Sequence, residues 1–174
     1  MLRCWSEWRV RHPATADLEA LLRELVVAGV EFIVVGGAAA VIHGAPITTQ
    51  DLDVVPRQRP EDLDCLLDVL TRLDARFRPV RPGRDLAVTG EHLAGHGQLN
   101  LITQYGPLDI LLRLHDARGY DELLPHSIEV QDAGLRIRVI DLETLIEIKR
   151  STGRARDALV VPLLLAIRTH KASD

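Results

Sequence analysis

Between Glu31 and Pro56 the chain commits itself to a strand, a turn, a helix and a second strand with few residues to spare. Glu31-Phe32-Ile33-Val34-Val35 reads as a short buried strand, and Gly36-Gly37 turn it directly into a helix over Ala38-Ala39-Ala40-Val41-Ile42-His43. Gly44-Ala45-Pro46 ends that helix, and the next apolar run carries Asp51 and Asp53 up to Pro56. Such tight punctuation sets the Gly-Gly turn and the two acids at neighbouring strand ends.

Within Thr49-Gln50-Asp51-Leu52-Asp53-Val54-Val55 the two carboxylates stand at positions i and i+2. On a strand these point to one face, roughly 6–7 Å apart. Like charges so placed repel, and burying them costs several kcal/mol without a counter-charge. A divalent cation supplies it, which points to a Mg²⁺ site with one or two metals. Taken alone, the pair also fits two solvated aspartates on an edge strand. Gly36-Gly37 alone is equally ambiguous. Backbone amides at a helix start can hold phosphate oxygens, but a Gly-Gly turn also makes an ordinary strand-to-helix connection. Neither the Walker A nor the GxGxxG pattern is present.

The remaining chain reads as α+β. Thr15 is a candidate N-cap for a helix carrying Leu18, Leu21, Leu22, Leu25 and Val26 up to Gly29. Pro60 starts a helix to about Leu73 with Leu63, Leu66, Leu67 and Leu70 inward. Residues 76–97 read as loop with short elements. Leu99–Thr103 with Leu108–Leu112, and Ser127–Val130 with Leu135–Ile140, read as hairpins, with a helical turn near Tyr120 between them. Asp141 caps a helix through Leu142, Leu145, Ile146 and Lys149, and a last helix covers Arg156 to Thr169, with Pro162 a point of disturbance. Residues 1–13, with Trp5 and Trp8, read as a flexible arm. Residues 14–174 read as a single domain whose C-terminal helical segment covers about 141–170.

With 47% apolar and 26% charged residues and a net charge of −4, the composition is that of a soluble globular protein, not of one that coats nucleic acid. Neither a signal peptide nor a membrane span is legible, so a cytoplasmic location is expected. Cys4 and Cys65 read as reduced thiols, Cys65 packed on a helix face. Arginines cluster at 76–84 and near Arg154 and Arg156, which leaves a local basic surface open. Lys149 stands out because this chain has nineteen arginines and only two lysines. His43 reads as a helix-end packing residue, and His92 and His96 as loop residues.

The order of these motifs, FIVVGGAAAVIHGAPITTQDLDVV, resembles the nucleotidyltransferase superfamily that includes DNA polymerase β, in particular the AbiEii/MenT type of bacterial, toxin-like nucleotidyltransferases. Asp141-Leu142-Glu143-Thr144-Leu145-Ile146-Glu147-Ile148-Lys149 and Gly153-Arg154-Ala155-Arg156-Asp157 resemble that family's second segment. The resemblance spans about residues 17–160. It implies a polymerase β-like fold with a mixed, mostly antiparallel sheet flanked by helices and followed by C-terminal helices. It further implies Mg²⁺ at Asp51, Asp53 and a third acid, for which Asp109 in Pro107-Leu108-Asp109-Ile110-Leu111 fits. Gly36, Gly37, Thr49, Lys149 and Asp157 would bind the nucleotide, with Lys149 offsetting triphosphate charge.

From the residues alone Asp109 is equally an edge-strand charge, Lys149 a surface lysine, and Asp157 an N-cap. The implied chemistry is transfer of an NMP from an NTP such as ATP, with release of pyrophosphate. The implied acceptor is RNA, such as a tRNA 3′ end, and the implied partner is an antitoxin protein. An antibiotic or protein acceptor, or a non-catalytic nucleotide-binding module, are the alternatives. Two departures from the family pattern stand out. Ile47 takes the place of a family arginine, and Ala155-Arg156-Asp157 replaces Pro-Lys-Asp.

Overall fold

The computed structural model describes residues 13–78, 86–132 and 134–171, without the side chain of residue 132. The arm over residues 1–12, with both tryptophans and Cys4, lies outside the described residues, as do Arg81 and Arg84.

Helix α1 (Leu18–Val27) buries Leu21, Leu22 and Leu25. Its N-cap is Asp17, whose carboxylate accepts from the Ala20 amide at 3.1 Å. Thr15, the expected cap, lies before that turn, and a carboxylate also suits the positive end of the helix better than a hydroxyl. Strand β1 (Phe32–Val35) is buried throughout and runs straight into helix α2 (Gly36–Ile42). Ala38, Ala39 and Ala40 are all buried, and their small side chains let α2 lie close against β1 and strand β2 (Leu52–Pro56).

Helix α3 (Pro60–Arg72) opens with proline at its first position, where the missing amide costs no hydrogen bond. Leu66, Val69 and Leu70 face the core, whereas Cys65 is exposed, contrary to the expected packed thiol. It stands one residue before Leu66, a rotation that turns it off the apolar stripe.

Strand β3 (Arg76–Phe77), a one-turn helix α4 (Gly90–Leu93), strand β4 (Gln98–Thr103) and strand β5 (Gly106–Leu111) follow. His92, expected in a loop, instead sits in α4. There it shares hydrogen bonds with Thr89 and meets the Phe77 ring edge-on at 4.8 Å. Beyond helix α5 (Tyr120–Leu123) and a 3₁₀ turn, strands β6 (Ser127–Asp132) and β7 (Leu135–Ile140) form the second hairpin. Helices α6 (Leu142–Thr152) and α7 (Ala155–Lys171) pack on each other. The Asp141 side chain accepts from the Thr144 amide at 2.7 Å, so this cap stands where the sequence put it. Helix α7 runs through Pro162 without a break.

Among the described residues the seven strands form one sheet in the order β3-β4-β5-β2-β1-β7-β6. β1 with β7 and β2 with β5 are parallel, and the other four pairs are antiparallel. The structure therefore has the mixed, mostly antiparallel sheet flanked by helices that the sequence implied. No helix among the described residues is long and apolar enough to cross a membrane.

Candidate active site

Sheet register assembles the site. Val35, the last residue of β1, lies opposite Asp53 on β2; Asp53 aligns with Asp109 on β5, and Asp109 with Asn100 on β4. Aligned residues of paired strands share a face, so one row of the sheet brings Asp53 beside Asp109. Asp51, one residue before β2, completes the group: the three carboxylates offer oxygens that all lie within 4.8 Å of one another. The Thr49 hydroxyl lies 3.1 Å from both Oδ1 and the carbonyl oxygen of Asp51, and holds that turn.

The two glycines have a reason beyond the approach of a phosphate. Gly36 has φ +63°, and a Cβ there would lie 2.7 Å from Cγ of Asp53. A Cβ on Gly37 would lie 2.5 Å from Oγ1 of Thr49. The turn therefore leaves space that the site's own side chains fill. The Gly37 amide lies 3.4 Å from Oδ2 of Asp53, which ties turn and acid together.

Burial, reinforced by Asp51 and Asp109, pushes the Asp53 carboxyl up to about 7, against the pull of the Gly37 amide and Lys149. Burial also raises Asp109, although Arg78 and Gln98 both donate to it. The protein's own donors thus leave the group short of positive charge. All-oxygen, convergent, under-compensated carboxylates are the donor set of a hard divalent cation, so these residues fit Mg²⁺.

On the opposite wall Lys149 of α6 donates to Oδ1 of Asp157 at 2.8 Å, and the Thr152 hydroxyl to Oδ2 at 2.6 Å. Asp157 is buried inside the first turn of α7 and is not an N-cap. Its burial acts to raise its pKa, but the two hydrogen bonds outweigh that and leave it lowered. Gly153, at φ +63°, turns the chain between the two helices so that the pair can meet.

Both walls border one cleft of about 390 Å³, which Gly36, Gly37, Thr49, Asp51, Asp53, Asp109, Lys149 and Asp157 all line. Every residue expected at the site from sequence is thereby brought together. Ile47 lines the cleft as well, where guanidinium groups come from Arg113, Arg154 and Arg156. Sequence reasoning missed Gln98, Arg113 and His115, and it placed Arg78 only on a local basic surface. Alternation of Gln98 and Asn100 along β4, facing Asp109, was the available signal for Gln98. His96 lines the cleft while His92 turns away to Thr89, so the two do not act together. His43 is buried with Nε2 2.8 Å from the Ile140 carbonyl oxygen, a packing role as expected; burial lowers its pKa.

The sequence matches no family model and no curated protein. Among solved structures it is similar to a lincosamide antibiotic adenylyltransferase with lincomycin bound, at TM-score 0.60 and 14% identity, over 88% of this chain and 99% of that one. A nucleotidyltransferase-like protein from Paracoccidioides brasiliensis gives TM-score 0.55 and 14% identity over 88% and 77% of the two chains. A Thermotoga maritima protein assigned to the nucleotidyltransferases gives 0.51 and 18% over 86% and 90%. On this likeness the chain has the nucleotidyltransferase fold.

Proposed function

We propose that the protein is a Mg²⁺-dependent nucleotidyltransferase that moves an NMP from an NTP to an acceptor hydroxyl and releases pyrophosphate. The observation that carries this reading is the meeting of Asp51, Asp53 and Asp109 beside the Gly36-Gly37 turn, with Lys149 across the same cleft. Asp51, Asp53 and Asp109 would hold the ion. When bound, Mg²⁺ supplies Lewis acidity at the acceptor hydroxyl and charge neutralisation at the leaving pyrophosphate.

Asp109 lies on the β4 side of the group and is the general base for the acceptor hydroxyl. The Gly36 and Gly37 backbone and the Thr49 hydroxyl orient the phosphates, and Lys149, positioned by Asp157, offsets their charge. Lys149→Met is expected to raise KM for the NTP by about tenfold or more, since a hydrogen bond to a charged phosphate is lost. Lys149→Arg should restore part of that loss in steady-state kinetics.

For the acceptor, RNA such as a tRNA 3′ end is the first reading, in a cytoplasmic toxin held in check by an antitoxin protein. Arg154 and Arg156, exposed at the mouth of the cleft, and Arg113 support it. The lincomycin-bound neighbour favours a second reading, a small hydroxyl-bearing antibiotic. Incubation with labelled NTPs, Mg²⁺ and either tRNA or antibiotic separates the two: label on tRNA is expected, and label confined to the small molecule ends the toxin reading.

A further inference from the structure

Arg78 emerges just past edge strand β3, with its backbone amide donating to the Asn100 carbonyl at 2.8 Å. Its guanidinium reaches across β4 and donates to Oδ1 of Asp109 and, at 3.3 Å, to Oδ1 of Asn100. Gln98 Nε2 reaches the other Asp109 oxygen at 3.2 Å and the same Asn100 oxygen at 2.7 Å. Both oxygens of the third carboxylate are therefore engaged by protein donors.

The two partners differ in freedom. Asp109 is fixed in β5, paired on both sides, with its side chain only 6% exposed. Arg78 is held by its backbone at the sheet edge, and its side chain is 35% exposed on a long, flexible stem. A cation that is to touch Asp109 together with Asp51 and Asp53 meets a carboxylate whose oxygens Arg78 and Gln98 already engage, and the like charge of the guanidinium opposes its approach. The carboxylate is fixed in its strand, so the guanidinium is the partner that gives way.

We propose that Arg78 is a placeholder cation, a positioning residue that occupies the Asp109 corner of the triad until a divalent ion displaces it. The inference rests on reading the triad as a metal site. Its consequence is a threshold: metal affinity is reduced by the fraction of molecules in which Asp109 stands open. Removal of the guanidinium should remove that reduction.

The test is a titration of the nucleotide-free protein with Mn²⁺, followed by electron paramagnetic resonance. Arg78→Gln is expected to bind Mn²⁺ about fivefold or more tightly than wild type. Arg78→Met, which keeps the stem but makes no hydrogen bond, should shift affinity in the same direction. Arg136→Gln serves as the charge-matched control, because Arg136 pairs with Glu129 at 3.3 Å on the opposite wing of the sheet. Equal affinity in the Arg78 and Arg136 variants, or weaker binding without Arg78, overturns the exchange while leaving the metal site standing. Absence of saturable Mn²⁺ binding in wild type and variants alike overturns the metal site and the exchange together.

Discussion

Asp53→Asn is expected to abolish nucleotidyl transfer, by roughly a thousandfold or more, and to make the metal-free protein more stable at pH 8. The first effect follows from the loss of one of three convergent carboxylates. The second follows from the Asp53 carboxyl standing at about 7 instead of its ordinary 3.8. The folded protein holds that proton more tightly than the unfolded chain does. Stability from this group is therefore fully present below about pH 4, declines as pH rises, and is lost above about 7. The cost at pH 8 is on the order of 2–4 kcal/mol, which asparagine escapes.

For a chain of this size that corresponds to a melting temperature higher by about 4–16 °C in scanning calorimetry. Below about pH 4 the carboxyl is protonated in the folded and the unfolded chain alike, so the advantage of asparagine should disappear. Mg²⁺ should raise the wild-type melting temperature at pH 8 and leave Asp53→Asn nearly unmoved. A variant that melts at or below wild type at pH 8 would remove the argument that the triad is short of positive charge.

Gly36→Ala should damage the protein from the other side of the same contact. Alanine at φ +63° costs about 1–2 kcal/mol in backbone strain. The new methyl also presses on the Asp53 carboxylate, an overpacking that adds roughly 1–3 kcal/mol. Denaturant unfolding should show a loss on the order of 2–5 kcal/mol, and activity should fall with it because the carboxylate is pushed out of line. In an Asp53→Ala background the contact with the carboxylate is gone, so the penalty should shrink toward the strain alone. Equal penalties in both backgrounds would show that the turn, and not its fit to Asp53, sets the requirement for glycine.

The elements that carried the site were legible because each is encoded locally. A four-residue apolar run, two glycines and three alanines leave little choice of structure, and the spacing of Asp51 and Asp53 fixes their shared face. Asp109 stood out as the single acid in an apolar strand, but only the family resemblance favoured a site role over an edge-strand charge. That β2 runs parallel to β5, so that Asp53 and Asp109 align, is a long-range pairing that no local pattern contains. The same holds for Arg78 on Asp109, thirty-one residues away in sequence. Asp157 was ambiguous for a different reason. Its position before a helical run looks like a cap, whereas α7 has already begun at Ala155 and the carboxylate turns inward to Lys149. Thr15 was the cap expected from residue type, and the backbone at the turn gives that role to Asp17 instead.

The sheet order also distributes durability. Asp53 and Asp109 sit on adjacent interior strands, β2 and β5, whereas Arg78 follows β3, a two-residue strand at the margin. Amide exchange in such a sheet begins where ladders are short, and β3 is held on its outer side only by the Arg76–Ala87 bridge and by the Phe77 amide on the Leu86 carbonyl, whereas interior strands exchange only near global opening. The carboxylates are therefore expected to exchange with the slowest part of the sheet, and their arginine partner, tied to it by the Arg78 amide on the Asn100 carbonyl, ahead of them. Thermal fluctuation at the sheet margin can therefore uncover the acidic cluster repeatedly while the cluster keeps its shape.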